Sequence, residues 1–303
     1  MPEPRKLKRR ILLQGGIGIA GATAAVVAGS AQANNASDER SIAQATLQPS
    51  QGGQFANQVV LITGATSGIG EATARAFAEA GAIVHFCGRR ENLGNQVADS
   101  INSTGGRATY QKADVQNEAE VKALVDECVR RYGRLDVAFN NAGIVNPRFV
   151  KLHEQPTQDY IDTLNINALG VFLSMKYEIP QMLAQGSGII INNSSVSGHK
   201  GYTEISPYNA SKHAVISLTR VAALEYARDN IRVCSISPGG VDTAMLRYAF
   251  AQRQVPFEEA VQTLPIGRAN TVEEMAQSVL FLASPQGSAF HGSAVDVTCG
   301  LLA

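Results

Sequence analysis

The sequence has no excess of charge of either sign, since 26 Lys and Arg side chains balance 26 Asp and Glu side chains over 303 residues. Residues 1–33 hold five of the basic and one of the acidic side chains, so the remainder carries a net charge of −4. That remainder has no basic stripe of the kind that follows a phosphate backbone. We therefore expect no nucleic-acid partner.

Residue types that bind metals are also few. The four cysteines include no pair at the spacing of a zinc site or of a CxxC redox motif. Cys87 and Cys234 lie in apolar, strand-like runs, where a free thiol behaves as a small hydrophobic group, and a disulfide remains open. The five histidines form no spaced set, and we interpret them as structural or surface residues. The sequence predicts no metal site.

The first 33 residues differ in character from the rest. Residues 1–10 are basic, residues 11–37 carry no charge, and a Gly/Ala-rich stretch ends in Ala31-Gln32-Ala33, an A-x-A cleavage pattern. Arg9-Arg10-Ile11-Leu12-Leu13 resembles the twin-arginine export motif. We predict a signal peptide over 1–33, export to the periplasm, and a flexible polar linker over 34–56. An uncleaved membrane anchor, a cytoplasmic protein and a wrongly chosen start codon are the alternatives.

From Gln58 onward, short apolar runs alternate with helical patterns. The runs predict strands over 59–62, 83–87, 108–111, 135–139, 189–191, 231–236 and 294–297, and helices over 71–80, 118–132, 160–183, 208–228 and 272–283. This alternation predicts an α/β fold of Rossmann type, a doubly wound parallel sheet in a single domain over 57–303. Right-handed crossovers would then place the carboxyl ends of all strands along one edge.

A glycine-rich turn follows the first predicted strand. Residues 63–70, with the sequence TGATSGIG, give a tight turn whose backbone can approach a pyrophosphate at a helix N-terminus. At the end of the second strand, Gly88 occupies the place of the acid that bonds the ribose 2′-hydroxyl of NAD, and Arg89 follows. We predict NADP as the cofactor, with NAD as the alternative. Arg89 and Arg90 as solvated surface charges are the competing interpretation, and the neutral Ser67 adds no second cationic contact.

Tyr208 and Lys212 are four residues apart, so they share one face of a helix. We expect the Lys212 ammonium to favour the phenolate and to lower the pKa of Tyr208 from about 10. Tyr208 would then exchange a proton with a substrate oxygen near neutral pH. Ser195, thirteen residues upstream, has a hydroxyl that could hold that oxygen.

Together these motifs resemble the short-chain dehydrogenase/reductase family, from Gln58 to the C-terminus. The ordered motifs are TGxxxGxG at 63–70, Asp114-Val115, NNAG at 140–143, Asn167, Ser195, Tyr208 with Lys212, and Pro238-Gly239 with Thr243. The resemblance implies that Tyr208 is the general acid and base and that Lys212 lowers its pKa and binds the nicotinamide ribose. It also implies that Ser195, favoured over Ser194 by its spacing, orients the substrate oxygen, and that Asn167 holds a water linked to Lys212.

The same resemblance implies a set of cofactor-binding residues. They are Gly64, Ser67, Gly68, Ile69, Gly70, Arg89, Asp114, Val115, Asn141, Ala142, Gly143, Tyr208, Lys212, Pro238, Gly239, Val241 and Thr243.

The implied function is the interconversion of a carbonyl and a secondary alcohol by hydride transfer with NADP(H). Apolar residues that follow the Pro-Gly motif would form a mobile lid, so a small-molecule substrate with an apolar part is expected; ordinary packing is the other interpretation of Met245, Leu246, Tyr248, Phe250 and Phe257. A 3-oxoacyl-thioester reductase and a catalytically silent nucleotide-binding sensor are the alternative functions.

The resemblance also implies a homo-oligomer, either a tetramer or a dimer. Residues 297–300 read Val-Thr-Cys-Gly, which departs from the Val-Asp-Gly-Gly motif common near the C-terminus of the family. In many tetrameric members of the family the C-terminal strands of two subunits meet, so this departure changes residues of the subunit interface that the resemblance implies. Membrane contact is expected only through an uncleaved signal.

Overall fold

A computed structural model describes residues 53–303, and the predicted signal over 1–33 lies outside this range. One seven-stranded parallel sheet has the order β3-β2-β1-β4-β5-β6-β7. Its strands are β1 Val59–Ile62, β2 Ile83–Gly88, β3 Arg107–Lys112, β4 Val137–Asn140, β5 Gly188–Asn193, β6 Ile231–Pro238 and β7 Ala294–Val297. The predicted single-domain, doubly wound α/β fold is confirmed.

Helices connect the strands. They are α1 Gly68–Glu79, α2 Glu91–Ser103, α3 Glu118–Tyr132, α4 Thr157–Leu164, α5 Gly170–Gln185, α6 Ser206–Tyr226, α7 Ala244–Gln252, α8 Phe257–Gln262 and α9 Val272–Ala283. A π-helical segment, Asn165–Leu169, joins α4 to α5. The sequence had predicted one helix over 160–183 in place of this three-part element.

Both faces of the sheet are covered, which is why its strands are uninterrupted apolar runs. Val60 and Ile62 pack with residues of α1, α2 and α9 on one face. Val59 and Leu61 pack with residues of α3, α5 and α6 on the other. The strand order reverses between β1 and β4, so the crevice at the carboxyl ends of these strands is the expected place for a ligand.

The structure corrects the end of the predicted linker over 34–56. The Phe55 side chain is 1% exposed and packs edge-on against Phe77 of α1, with 4.9 Å between ring centroids. The Phe55 amide donates to the Ala80 carbonyl at 2.9 Å. Residues 53–56 therefore belong to the folded unit, because this aromatic ring covers the end of the first helix.

No helix within residues 53–303 is long and apolar enough to cross a bilayer. In the same range, no group of three or more His, Cys, Asp or Glu side chains is arranged to hold a metal ion. All four cysteines are free thiols, of which Cys299 is exposed and the others are buried.

Candidate active site

A cavity of about 660 Å³ opens at the carboxyl edge of the sheet. It is lined by Ser195 and by all but one of the predicted cofactor-binding residues: Gly64, Ser67, Gly68, Ile69, Arg89, Asp114, Val115, Asn141, Ala142, Gly143, Tyr208, Lys212, Pro238, Gly239, Val241 and Thr243. Gly70 and Asn167, also predicted for the site, lie behind its wall. The segments after six different strands, β1 to β6, thus meet in one place.

The glycine turn is shaped by close backbone packing. Gly64 has a φ of +69° and Gly68 of +60°, a region that favours glycine. A Cβ on Gly64 would lie 2.7 Å from Ala142 Cα, and one on Gly70 would lie 2.5 Å from Asn141 Nδ2. Gly70 therefore packs the helix against the next loop and does not line the cavity. Helix α1 starts here without a side-chain cap, so its first N–H groups can bind an anion.

Two arginines follow β2 at the far end of the cavity. Arg90 Nη2 donates to Thr66 Oγ1 at 2.8 Å and to Ser67 Oγ at 2.6 Å. Arg89 Nη1 lies 3.8 Å from Asp114 Oδ2. The glycine turn itself contains no cation, as expected, but Arg90 from the end of β2 brings a guanidinium to Ser67. Arg90 was missed as a site residue, although its position next to Arg89 was the available signal.

The position of Thr66 favours glycine at residue 88. A Cβ at this position would lie 2.6 Å from Thr66 Cγ2 and 3.3 Å from Thr66 Oγ1. An acidic side chain at the end of β2 would therefore require Thr66 to move. The packing of the turn thus favours glycine over an acidic residue at this position.

The Asn141 side chain forms hydrogen bonds that connect three loops of the site. Its Nδ2 donates to the carbonyls of Thr63 and Gly64, at 3.1 Å each. Its Oδ1 accepts from Asn193 Nδ2 at 2.9 Å. The side chain of Asn141 thus joins the ends of β1, β4 and β5, and Asn193 is a further residue that the sequence analysis missed.

Lys212 is buried, with 3% of its surface exposed. Its Nζ donates to the Asn193 carbonyl at 2.7 Å and lies 5.6 Å from the centre of the Tyr208 ring. Burial lowers the pKa of Lys212 to about 8. The ammonium is therefore held by the end of β5 and faces the same cavity as Tyr208.

The pKa of Tyr208 differs from the sequence expectation. Burial raises the pKa of Tyr208 above its ordinary value, and a hydrogen bond with Ser195 opposes this shift. The predicted direction is wrong, because the cost of burying a phenolate outweighs the help from the Ser195 hydrogen bond. Tyr208 therefore holds its proton at neutral pH, as a proton donor must.

The two candidate serines have different surroundings. Ser194 Oγ donates to the Lys212 carbonyl at 3.0 Å, which commits its hydroxyl to the helix backbone. Ser195 Oγ accepts from the Ser197 amide at 3.1 Å, and its hydroxyl hydrogen-bonds to Tyr208 in the cavity and not to the backbone of the helix. This supports Ser195 as the residue that holds a substrate oxygen.

Asn167 lies in the π-helical segment and is fully buried. Its Oδ1 accepts from the Ile144 amide and its Nδ2 donates to the Ile144 carbonyl, both at 2.8 Å. Nδ2 also donates to Ser211 Oγ at 3.0 Å, and Ser211 Oγ donates to the Tyr208 carbonyl. The Asn167 side chain thus positions the loop before Ile144 and the helix that carries Tyr208, and its link to a water stays a prediction.

A second polar cluster lies beneath the site, inside the core. Asn140 Nδ2 donates to Glu178 Oε2 at 3.1 Å and to Asn192 Oδ1 at 3.0 Å. Glu178 Oε1 and Asn140 Oδ1 have no hydrogen-bond partner among the described residues. Asn140 and Asn192 are paired in register, each one residue before a residue of the cavity wall.

The other half of the cavity is largely apolar. Its wall includes Phe149, Ile205, Met245, Leu246, Phe250, Leu264 and Leu301. Tyr248 Oη on α7 donates to the Pro147 carbonyl at 2.7 Å, which fastens this helix over the opening. Of the five predicted lid residues, Tyr248 and Phe257 lie outside the wall, and Phe257 packs on Phe250 at 6.0 Å.

Known proteins are similar to this chain in sequence and architecture. The short chain dehydrogenase family matches residues 58–254. Cyclohexanol dehydrogenase of Acinetobacter sp. (strain SE19) is 40% identical over 242 residues, which are 79% of this chain and 93% of that protein. The 3beta-hydroxysteroid dehydrogenase of Mediterraneibacter gnavus is 36% identical over 261 residues, covering 80% and 94%. The solved structure of NAD+-bound xylitol dehydrogenase has a TM-score of 0.78 and 31% identity, covering 82% of this chain and 100% of that chain.

Proposed function

Because the chain belongs to the short-chain dehydrogenase family and is an oxidoreductase of CH–OH groups, we propose that it interconverts a secondary alcohol and a ketone with NADP(H) as preferred cofactor. The observation that carries this proposal is the grouping of Ser195, Tyr208 and Lys212 in one cavity with the glycine turn. The relatives act by their names on ring-bearing alcohols, and the apolar half of the cavity suits such a substrate.

The residues present fit a nicotinamide dinucleotide. The uncapped start of α1 and the turn at Gly64 and Gly68 suit a pyrophosphate. A Cβ on Gly143 would lie 3.5 Å from Lys212 Nζ and 3.2 Å from Asn167 Oδ1, so glycine keeps the space beside these groups open. When bound, the nicotinamide would supply or accept the hydride at the carbonyl carbon.

The protein would supply the proton. In ketone reduction, Tyr208 donates its proton to the carbonyl oxygen as the carbon gains the hydride, giving the alcohol. Ser195 donates a hydrogen bond that holds this oxygen. The Lys212 ammonium favours the resulting phenolate until a proton returns from solvent. Alcohol oxidation is the reverse, with the phenolate as base.

The preference for NADP(H) rests on the end of β2. Gly88 offers no carboxylate to a ribose 2′-hydroxyl, and Thr66 leaves no room for one. Arg89 and Arg90 place two guanidinium groups beside the turn, which suits a 2′-phosphate. The xylitol dehydrogenase structure contains NAD+. Our proposal of NADP(H) for this chain rests on its own residues at the end of β2.

The test compares NADPH and NADH with cyclohexanone and with a 3-oxoacyl thioester, using residues 34–303. We expect reduction that prefers NADPH and a loss of at least about 1,000-fold in kcat for Tyr208→Phe. Arg90→Ala should weaken NADPH binding, measured by fluorescence titration, about tenfold or more and leave NADH binding unchanged. Arg75→Ala is the matched control, since Arg75 pairs with Glu71 on α1 away from the cavity.

Other outcomes would redirect the proposal. Turnover confined to the 3-oxoacyl thioester would favour the thioester reductase. Tight nucleotide binding without turnover in either direction would favour a silent sensor. Equal affinity for NADPH and NADH in the wild-type protein would remove the cofactor preference and leave the reaction type standing.

We further propose that residues 1–33 export the protein through the twin-arginine route, as the Arg9-Arg10 motif and the A-x-A pattern suggest. Because NADP(H) is not expected to be replenished outside the cytoplasm, the protein would fold around its cofactor before export. Cell fractionation of the full chain should place it in the periplasm with bound nucleotide, and Arg9→Lys with Arg10→Lys should retain it in the cytoplasm. Periplasmic protein free of nucleotide would contradict loading before export.

A further inference from the structure

The apolar half of the cavity contains one cation that the proposed reaction does not use. Among the described residues that line the cavity, the charged ones are Arg89, Arg90, Asp114, Lys212 and Arg253. The first three lie at the end of β2 and β3, and Lys212 belongs to the reacting group. Arg253, at the end of α7, is left among apolar side chains without a function.

The guanidinium of Arg253 is fixed in place but mostly unpaired. It lies 4.9 Å from the centre of the Phe149 ring, and its Nη2 donates to the Thr203 carbonyl at 3.0 Å. That is its only hydrogen bond within residues 53–303, although a guanidinium has five N–H donors. The remaining donors are available to a ligand in the cavity.

Glu204 does not satisfy this cation. Its Oε2 is 3.5 Å from Arg253 Nε, and the two side chains are 41% and 31% exposed. A half-exposed ion pair of this kind contributes little. Glu204 is also absent from the cavity wall, so its carboxylate does not face a ligand there.

A second polar residue, Tyr202, belongs to the same wall. The Tyr202 hydroxyl is buried in the cavity wall and has no hydrogen-bond partner among the described residues. Tyr202 precedes Thr203, the residue whose carbonyl holds Arg253. The main chain of Tyr202 is held by Asn209, whose Nδ2 donates to the Tyr202 carbonyl at 2.7 Å. Since Asn209 follows Tyr208, the Tyr202 hydroxyl and Arg253 are held in a fixed relation to the proton donor.

We propose that Arg253 and Tyr202 bind a carboxylate carried on the apolar body of the substrate. The substrate class is then a hydroxy acid or oxo acid in which a ring or other apolar skeleton separates the reacting carbon from the carboxylate. A guanidinium binds the two oxygens of a carboxylate through parallel N–H donors, and a tyrosine hydroxyl can donate to one of them. This inference rests on the proposed function, because it concerns the substrate of that reaction.

The test uses three ketones of one skeleton with NADPH and NADH: 4-oxocyclohexanecarboxylate, its methyl ester, and cyclohexanone. The wild-type kcat/KM for the oxo acid should exceed that for the ester about tenfold or more, as expected of a hydrogen-bonded charge. Arg253→Met should abolish this preference by lowering turnover of the oxo acid alone. Tyr202→Phe should reduce the preference by a smaller factor.

Arg247→Met is the matched control. Arg247 lies on the same helix, stacks over the Phe257 ring at 3.9 Å and pairs with Asp242 at 2.8 Å, but does not line the cavity. It should therefore leave the preference for the oxo acid unchanged. If Arg253→Met lowers the rates for all three ketones alike, Arg253 only fastens the helix to Phe149, and the inference is overturned while the proposed function stands.

A binding measurement separates the two proposals where no turnover occurs. Cyclohexanecarboxylate has no group to oxidise or reduce, and its affinity for the protein saturated with NADP+ can be measured by calorimetry. We expect Arg253→Met to weaken this affinity at least about tenfold. Equal affinity in the wild-type protein and the variant would overturn the carboxylate site. Absence of turnover with every ketone and alcohol would instead overturn the proposed function.

Discussion

At the scale of single residues, the protonation of the buried Glu178 makes the stability of the protein depend on pH. Its carboxyl group has no exposed surface, and its partner Asn140 also keeps one oxygen unpaired. Burial raises the pKa of Glu178 from its ordinary value of 4.5 to about 7. A neutral carboxyl at this position avoids the cost of a buried charge and can still accept from Asn140 Nδ2.

The raised pKa of Glu178 predicts a fall in stability as pH rises. Between about pH 4 and pH 7 the folded protein binds more protons than the unfolded chain at this group, so the free energy of unfolding decreases across that window and levels off above it. The change is roughly 3 kcal/mol. Urea unfolding of the wild type and of Glu178→Gln from pH 4.5 to 8 should show this slope in the wild type only.

Glu79→Gln is the control for this experiment. Glu79 is exposed on α1, so its neutral variant should follow the wild-type profile. A slope in Glu178→Gln equal to that of the wild type would mean that other groups produce the pH dependence.

At the scale of helices and strands, the sheet follows from the sequence pattern itself, whereas the lid could be predicted only from the family resemblance. The strands are buried on both faces, so each is an apolar run that the sequence displays directly. Helix α7 has no buried residue, and its apolar side chains face a cavity, so no amphipathic pattern towards a core marks it. The π-helical turn around Asn167 depends on contacts to Ile144 and Ser211, which lie far away in the sequence.

The residues of the candidate site were likewise predictable only in part. Gly64, Gly68, Ser195, Tyr208 and Lys212 were found because their chemistry needs those residue types at those spacings. The pKa of Tyr208 was predicted in the wrong direction because burial is a property of the folded protein. Arg90 and Arg253 were missed because an arginine beside a turn or at a helix end has the same sequence signature whether it faces a ligand or solvent.

Helix α7 gives a prediction about substrate access. Tyr248→Phe removes the hydrogen bond from α7 to the Pro147 carbonyl. The loss of one partly exposed hydrogen bond of about 1 kcal/mol should raise the KM for a ketone roughly threefold to fivefold, with a smaller change in the KM for NADPH. Steady-state kinetics measure both values.

Thr271→Ala provides the comparison for this helix. Thr271 caps α9 through a reciprocal pair with Glu274 and does not line the cavity. Its variant should lower the free energy of unfolding by about 1 kcal/mol without changing either KM. An unchanged ketone KM in Tyr248→Phe would show that α7 does not control access.

At the scale of the whole molecule, the helices of one face carry unpartnered apolar side chains. Phe172 on α5 is 46% exposed, and Val221 and Leu224 on α6 are 48% and 83% exposed. Large apolar residues that recur on neighbouring elements mark a protein interface. We predict that α5 and α6 contact a second copy of this chain, in the homo-oligomer expected from the family resemblance.

Light scattering coupled to size exclusion tests this interface. The wild type should elute as a dimer or tetramer, and Phe172→Asp with Leu224→Glu should give smaller species that remain folded by circular dichroism. Leu152→Glu is the control, because Leu152 is 77% exposed but lies in a short 3₁₀ turn away from these helices. A monomeric wild-type protein would contradict the prediction.

The contact between Gly88 and Thr66 has a consequence for how this protein can evolve. A change to an acid at position 88 would meet the Thr66 methyl group at 2.6 Å before it could meet a ribose. An acid at position 88 therefore requires the Thr66 methyl group to move or to be removed, as in Thr66→Ser, which keeps the hydroxyl that accepts from Arg90. Positions 66 and 88 are thus coupled by packing, so the side chain allowed at one depends on the side chain at the other.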